Sequence, residues 1–90
     1  MPWSIRLKTG AAKAINKLDK PVRDRIKAFL AQLAEQDNPR INGKALQGKL
    51  SAYWRYRVGD YRLICQIQDD ELIVLVVELG HRKDIYRDKH

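Results

Sequence analysis

A two-residue turn between two alternating segments constrains the fold of this chain most strongly. Residues 53–58 (YWRYRV) and 61–68 (YRLICQIQ) flank Gly59-Asp60. Glycine at the first central position of a two-residue loop is typical of a type II′ β-hairpin. Because side chains alternate between the faces of a strand, such a turn also fixes which residues share a face. The sequence therefore predicts a hairpin with a defined register, in which Val58 lies opposite Tyr61.

The predicted register separates two chemically different faces. The polar face carries Arg55, Arg57, Arg62 and Gln66, and the apolar face carries Trp54, Tyr56, Leu63 and Cys65. The apolar face belongs under covering elements, so the arginines are expected together on an open face. Arg57 lies opposite Arg62 there, and like charges opposed across a hairpin are unfavourable by about 0.2–1 kcal/mol. The arginines either bind a phosphate-like anion in forked geometry, or extend into water or pair with Glu78 or a tail acid.

The segments before the hairpin predict one strand and two helices. Residues 3–7 alternate as a half-buried strand does. Thr9 is expected to cap a short helix, and Asp19 to cap a second helix over residues 20–36 with Pro21 in its first turn. The apolar positions with helical spacing are Ala11, Ala14, Ile15 and Leu18 in the first helix and Val22, Ile26, Phe29, Leu30 and Leu33 in the second. The other face of the second helix is basic, either as a solvated surface or as one for a phosphate backbone.

The segments on either side of the hairpin complete the prediction. Residues 36–50 read as a connection, long enough to suggest a role of its own or a docking ledge, and attached to the core through Leu46 and Leu50. Residues 72–78 are apolar on both faces, as expected for a strand in the middle of a sheet.

These elements together predict the fold class. The N-terminal strand is expected beside the strand of residues 72–78, which leaves the strand of residues 53–58 at the opposite edge. We therefore predict a single α+β domain over residues 1–90, in the order β-α-α-β-β-β. Its antiparallel C-terminal sheet packs on two N-terminal helices, with the other face partly open.

The composition narrows the function classes. Eighteen Lys and Arg residues against eleven Asp and Glu give a net charge of +7, which suits an anionic partner, either nucleic acid or an acidic protein. The single cysteine, Cys65, excludes an internal disulfide; it is either a small buried hydrophobe or a reactive thiol. No Cys/His cluster has metal-ligand spacing. The polar N-terminus and the lack of an apolar run near about 18 residues predict a cytoplasmic protein without a membrane span.

The C-terminal residues add candidates beside the arginines. His81 and Arg82 follow Gly80, at the end of the sheet where Arg62 is expected. In a basic site the pKa of His81 would fall, leaving a neutral imidazole able to transfer protons near neutral pH. Tyr86 either packs on the sheet as a cap or stacks on a nucleic-acid base.

Two stretches and the element order resemble a known family. KALQGKLSAYWRYRVGDYRLICQI and LVVELGHRKDIYR, in the order β-α-α-β-β-β, are similar to the RelE/ParE superfamily of bacterial toxins from type II toxin–antitoxin systems. The resemblance covers essentially the whole chain. The RelE branch implies a ribosome-dependent endoribonuclease that cuts mRNA in the A site. It uses no metal or other cofactor, and the 2′-hydroxyl attacks the adjacent phosphate.

The resemblance also implies roles for individual residues. Arg55 matches a basic position proposed as the general base, although a guanidinium with a pKa above about 12 is a poor base. Arg62 matches the phosphate-stabilising arginine, Arg82 the arginine that assists the leaving group, and Tyr86 the C-terminal tyrosine. The candidate for proton transfer is then either His81 or a ribosomal group. The further residues expected to bind RNA or phosphate are Arg57, Lys44, Lys49 and Lys83.

Partners follow from the same resemblance. It implies a small, acidic, RelB-like antitoxin, together with the ribosome and mRNA, whereas DNA is contacted only indirectly through the antitoxin complex. Two alternatives stay open. The ParE branch shares the fold but inhibits DNA gyrase by protein contact without nuclease activity, and a non-enzymatic RNA-binding module could use the same arginines.

Overall fold

A computed structural model describes residues 3–46 and 53–81 of the chain. It confirms the α+β class, with two helices packed on one face of a sheet. The elements are β1 (Ser4–Leu7), α1 (Thr9–Asn16), α2 (Lys20–Ala34), β2 (Lys44–Ala45), β3 (Tyr53–Val58), β4 (Tyr61–Gln68) and β5 (Ile73–His81), with short 3-10 turns at Pro39–Asn42 and Asp69–Glu71. Within the described residues, the strands form one sheet in the order β1-β5-β4-β3-β2.

The neighbours of β5 and β3 show one correct prediction and one wrong one. β1 lies beside β5, as expected; the structure shows that this pairing is parallel, whereas the other neighbours are antiparallel. The prediction that residues 53–58 form an edge strand is wrong, because Lys44–Ala45 pairs with β3 and takes the edge. A strand of two residues is too short to show an alternating pattern, so the sequence contains no sign of β2 within the connection of residues 36–50.

Both helices lie near their predicted positions, but their ends differ from the predicted ones. Thr9 is already the first residue of α1 and Lys8 occupies the cap position, so the prediction of Thr9 as the cap is wrong. The Lys8 amide donates to the Val76 carbonyl at 2.9 Å, which fixes where the chain leaves the sheet. Asp19 does occupy the cap position of α2, although its side chain makes no capping bond, and Pro21 lies in the first turn.

The hairpin has the predicted register. Val58 pairs with Tyr61, Arg57 with Arg62 and Arg55 with Ile64. Gly59 has a φ of 59° whereas Asp60 keeps a negative φ, the combination that distinguishes a type II′ turn from a type I′ turn. The turn therefore sets the face of every side chain on β3 and β4.

The core lies between the helices and one face of the sheet. Its buried apolar members include Ala11, Ile15, Ile26, Leu30 and Leu33 from the helices and Tyr56, Leu63, Cys65, Val74 and Val76 from the strands. Leu46 is half-buried, and Leu50 lies outside the described residues. No helix in the described part of the chain is long and apolar enough to cross a membrane.

Candidate functional site

A cleft of about 330 Å³ opens on the face of the sheet that the helices leave uncovered. It is lined by Ile41, Asn42, Gly43, Lys44, Arg55, Arg57 and Arg62. Four of these side chains are cationic, and none of the seven is acidic. The cleft is thus a concentrated positive surface that suits a polyanion.

Two cross-strand pairs bring the four cations together. Lys44 on β2 lies opposite Arg55 on β3, and Arg57 on β3 lies opposite Arg62 on β4. Residues 55 and 57 are two apart on one strand, so both pairs project from the same face of the sheet. The sequence correctly predicted that the arginines share an open face, and the structure places Lys44, which is also a candidate from the sequence, beside them.

The arginines differ in how tightly the protein holds them. Arg57 is exposed and Arg55 is half-buried, whereas Arg62 is only 3% exposed although it lines the cleft. On its other side Arg62 pairs with Gly80, which contributes no side chain. A buried guanidinium has little freedom left to lose when it binds a ligand, so Arg62 is the most preorganised of the three.

No acid of the described segments forms an ion pair with Arg55 or Arg57. The ion pairs resolved there join Lys20 to Asp24 and Arg40 to Asp69, and neither includes Arg55 or Arg57. Glu78 is exposed on β5 opposite Ile64, and across residues 3–46 and 53–81 it forms no ion pair with Arg55 or Arg57. The alternative that Glu78 neutralises these two arginines is therefore not supported.

His81 lies away from the cleft. It pairs with Tyr61 while its neighbour Gly80 pairs with Arg62, so alternation directs the His81 side chain to the opposite face from Arg62. Its ring meets the Tyr61 ring edge-on, with centroids 5.2 Å apart. The expectation that His81 joins the arginine cluster is wrong, because β5 continues one residue beyond Gly80 and the strand period turns the side chain away. Lys49, Arg82, Lys83 and Tyr86 lie outside the described residues.

The sequence suggested a role for the connection of residues 36–50 but did not identify the wall of the cleft, which Ile41, Asn42 and Gly43 form. Two aromatic side chains of β3 hold the backbone just before it. The buried Tyr56 hydroxyl donates to the Pro39 carbonyl at 2.7 Å, and the Trp54 indole N–H donates to the Arg40 carbonyl at 3.2 Å. The only sequence signal was the run of turn residues in NPRING, which marks a turn but not its docking site.

Gly43 is required by the close approach of the wall to β3. A Cβ at this position would lie 2.6 Å from the Trp54 indole nitrogen and 2.8 Å from the Arg55 carbonyl oxygen. Both distances are shorter than real contacts, and the second involves backbone that cannot easily shift. The glycine therefore lets the wall pack directly against the strand that carries Arg55.

The titratable groups of the core are held in their neutral forms. Burial raises the pKa of the Tyr56 phenol, and it raises the pKa of the Cys65 thiol to about 12. Cys65 is fully buried, which favours its interpretation as a small hydrophobe over a reactive thiol. In the described part of the chain, no group of three or more His, Cys, Asp or Glu side chains could hold a metal ion.

Comparisons with known proteins agree with this architecture. Residues 5–86 match the family of the ParE toxin of the type II toxin–antitoxin system parDE. Toxin RelG of Mycobacterium tuberculosis is 34% identical, over 97% of this chain and 99% of its own. The mRNA interferase toxin RelE of Escherichia coli K12 is also 34% identical, over 92% of this chain and 86% of its own.

Solved structures show the same fold. The toxin–antitoxin complex RelBE2 of M. tuberculosis contains a chain that superposes with a TM-score of 0.82 and 28% identity, over 91% of this chain and 93% of that one. A double mutant of E. coli RelE in the free state gives a TM-score of 0.76 and 26% identity, over 97% and 93%. With a matching family model, relatives above 30% identity and this shared fold, the chain belongs to the RelE/ParE superfamily of toxins of type II toxin–antitoxin systems.

Proposed function

We propose that this toxin is a cytoplasmic, ribosome-dependent endoribonuclease that cuts mRNA in the A site. The observation that carries the proposal is the cleft on the open face, where Arg55, Arg57 and Arg62 converge with Lys44. A relative with 34% identity is named an mRNA interferase, which supports the same substrate class.

The reaction needs charge stabilisation more than any other contribution. The 2′-oxygen of one nucleotide attacks the adjacent phosphorus, and the bond to the 5′-oxygen of the next nucleotide breaks. The products are a 2′,3′-cyclic phosphate and a 5′-hydroxyl end. Negative charge accumulates on the phosphoryl oxygens in between, and guanidinium groups fixed in advance stabilise it. Arg62, the most buried of the three arginines, is assigned this role, and Arg55 and Arg57 bind the flanking phosphates.

Proton transfer requires a different group, because arginine remains protonated at any physiological pH. His81 faces away from the cleft, so we assign proton transfer to a ribosomal group rather than to His81. The variant His81→Gln tests this assignment. A wild-type rate of cleavage supports the ribosomal group, and loss of cleavage with an intact fold returns the role to His81.

The C-terminal residues enter the proposal through the family resemblance. Arg82 assists the departing 5′-oxygen, and Tyr86 orients the RNA by stacking. Lys49 and Lys83 contribute further phosphate contacts. These four residues lie outside the described part of the chain. Alanine substitution of each one, with mRNA cleavage on ribosomes as the measurement, tests the proposed roles.

The proposed protein partner is a small, acidic, RelB-like antitoxin. A net charge of +7 favours association with an acidic partner. The structural relatives include the E. coli RelBE toxin–antitoxin complex, which shows the fold in such an assembly. DNA is contacted only indirectly, through the antitoxin.

The direct test places the purified toxin on ribosomes programmed with a defined mRNA. Cleavage only in the presence of ribosomes, with a cyclic phosphate on the upstream fragment, supports the proposal. Intact mRNA under these conditions contradicts it.

The second candidate is a gyrase inhibitor of the ParE type, because the matching family model describes a ParE toxin. It acts by protein contact and needs no cluster of phosphate-binding arginines. A DNA gyrase supercoiling assay beside the ribosome assay separates the two. Inhibited supercoiling with intact mRNA favours gyrase. A non-enzymatic RNA-binding module predicts salt-dependent RNA binding with neither effect.

A further inference from the structure

The wall of the cleft is anchored at several points, although it belongs to a connection between secondary-structure elements. The Asn38 side chain accepts a hydrogen bond from the Arg40 amide at 3.0 Å, which closes the turn at the start of the wall. Tyr56 and Trp54 hold the carbonyls of Pro39 and Arg40. These bonds restrict the backbone on both sides of Arg40.

The Arg40 side chain adds an anchor from the opposite direction. Its two terminal nitrogens donate to the two Asp69 carboxylate oxygens at 2.9 and 2.7 Å, a bidentate pair across 29 positions of sequence. The guanidinium carbon also lies 5.8 Å from the centre of the Trp54 ring. Asp69 belongs to the turn between β4 and β5, so this pair ties the wall to a second part of the sheet.

The solvent exposure of this pair indicates what it does. The side chains of Arg40 and Asp69 are 37% and 59% exposed, and ion pairs at such positions contribute little to stability. A bidentate guanidinium–carboxylate pair does fix geometry, however. Its main effect is therefore on the position of the residue that follows Arg40.

That residue is Ile41, which is 73% exposed. A large apolar side chain at this exposure, at the margin of a cationic cleft, is matched to a ligand with both anionic and apolar parts. A nucleotide has these parts, since its phosphate suits the arginines and the face of its base suits an aliphatic side chain. Asn42, the next residue of the lining, offers an amide for polar edges.

We propose that Ile41 contacts the nucleoside next to the scissile phosphate, and that Arg40 is a positioning residue that holds Ile41 there through Asp69. The proposal rests on the proposed function, because it takes RNA as the ligand of the cleft. In this arrangement the wall contacts the nucleoside, and the three arginines of the cleft bind the phosphate.

The first experiment compares the two exposed large apolar residues of the described chain, Ile41 and Leu7. Leu7 ends β1, at the far edge of the sheet from β2, and serves as the matched control. On programmed ribosomes, Ile41→Ala is expected to raise KM for cleavage about fivefold with little change in kcat, from loss of partial apolar burial. Leu7→Ala is expected to match wild type.

The second experiment tests positioning with neighbouring acids. Asp69→Asn weakens the pair with Arg40, whereas Asp70→Asn changes an exposed acid of the same turn that forms no ion pair in the described residues. Asp69→Asn is expected to raise KM about threefold at an unchanged melting temperature, since loss of the anchor only loosens Ile41. Arg40→Lys keeps the charge but not the forked geometry, so its KM is expected to lie between those of wild type and Arg40→Ala.

Non-additivity separates positioning from an independent effect. If Arg40 acts through Ile41, the double variant Arg40→Ala/Ile41→Ala cleaves no more slowly than Ile41→Ala alone. If the double variant is slowed by the product of the two single effects, Arg40 does not act through Ile41 and its positioning role is overturned. Equal KM values for Ile41→Ala, Leu7→Ala and wild type overturn the nucleoside contact while leaving the proposed function intact. A wild-type toxin that cuts no mRNA on ribosomes overturns both.

Discussion

The two faces of one hairpin have opposite compositions. On the helix side, Tyr56, Leu63 and Cys65 are fully buried, and the Tyr56 hydroxyl has a carbonyl partner. On the open side, Arg57 and Arg62 lie opposite each other, without an acid in the lining of the cleft. One face is optimised for packing, whereas the other keeps an arrangement that opposes folding.

This difference shows where stability and function are encoded. The strand period of two residues lets adjacent positions answer to different requirements, so Leu63 can serve the core while Arg62 serves the cleft. A pair of like charges opposed across a hairpin disfavours folding, and such a pair is expected at a site whose ligand is anionic. Substitutions on the two faces should therefore affect different observables.

The largest effect on stability is expected on the helix face. Leu63→Ala should lower the free energy of unfolding by about 2–5 kcal/mol, because it leaves a cavity at a fully buried position. Its neighbour Ile64 is only half-buried on the open face, so Ile64→Ala should cost about 1 kcal/mol. Urea unfolding of both variants measures the difference. Equal losses would show that the faces do not differ as described.

A smaller effect on the same face depends on pH. Burial raises the pKa of the Cys65 thiol from 9.0 to about 12, so between these values the unfolded chain loses a proton that the folded chain keeps. Stability should fall as pH rises in this window, by up to about 1.4 kcal/mol per pH unit. Cys65→Ala should flatten the pH dependence of urea unfolding between pH 9 and 10. An unchanged slope would contradict the burial of the thiol.

The smallest effect is expected on the open face and has the opposite sign. Arg57→Thr removes the like-charge pair with Arg62 and introduces a good strand former, so it should raise the free energy of unfolding by about 0.2–1 kcal/mol at low salt. High salt should reduce the gain. Arg6→Thr is the control, because Arg6 is an exposed strand arginine opposite Leu75. A matching gain in the control would assign the effect to strand propensity alone.

The parts of the fold that the sequence predicted are those governed by local periodicity. The turn at Gly59-Asp60 determined the register and therefore the shared face of the three arginines. The strand of residues 72–78 was predicted to lie inside the sheet because its residues are apolar on both faces, and the structure places it beside β1 as β5. Each of these predictions depends only on residues close in sequence.

The parts that were missed depend on contacts between distant residues. β2 is defined by its pairing with β3, and the backbone that leads into the wall is held by bonds from Trp54 and Tyr56, which lie well beyond it in sequence. His81 was misplaced because the end of β5 is set by pairing with Tyr61 and not by the apolar run that predicted the strand. No local pattern in the sequence carries this information.

The most direct test of the account measures mRNA cleavage on programmed ribosomes by Arg62→Ala and Arg6→Ala. Melting curves are recorded first, and cleavage rates are compared only for variants that these curves show to be folded. We predict that Arg62→Ala cleaves on the order of 10²–10³-fold more slowly, because it removes a preorganised charge from the transition state. Arg6→Ala, at the far edge of the same sheet, should cleave at the wild-type rate. Equal rates for the two folded variants would contradict the claim that arginines on the open face perform the reaction.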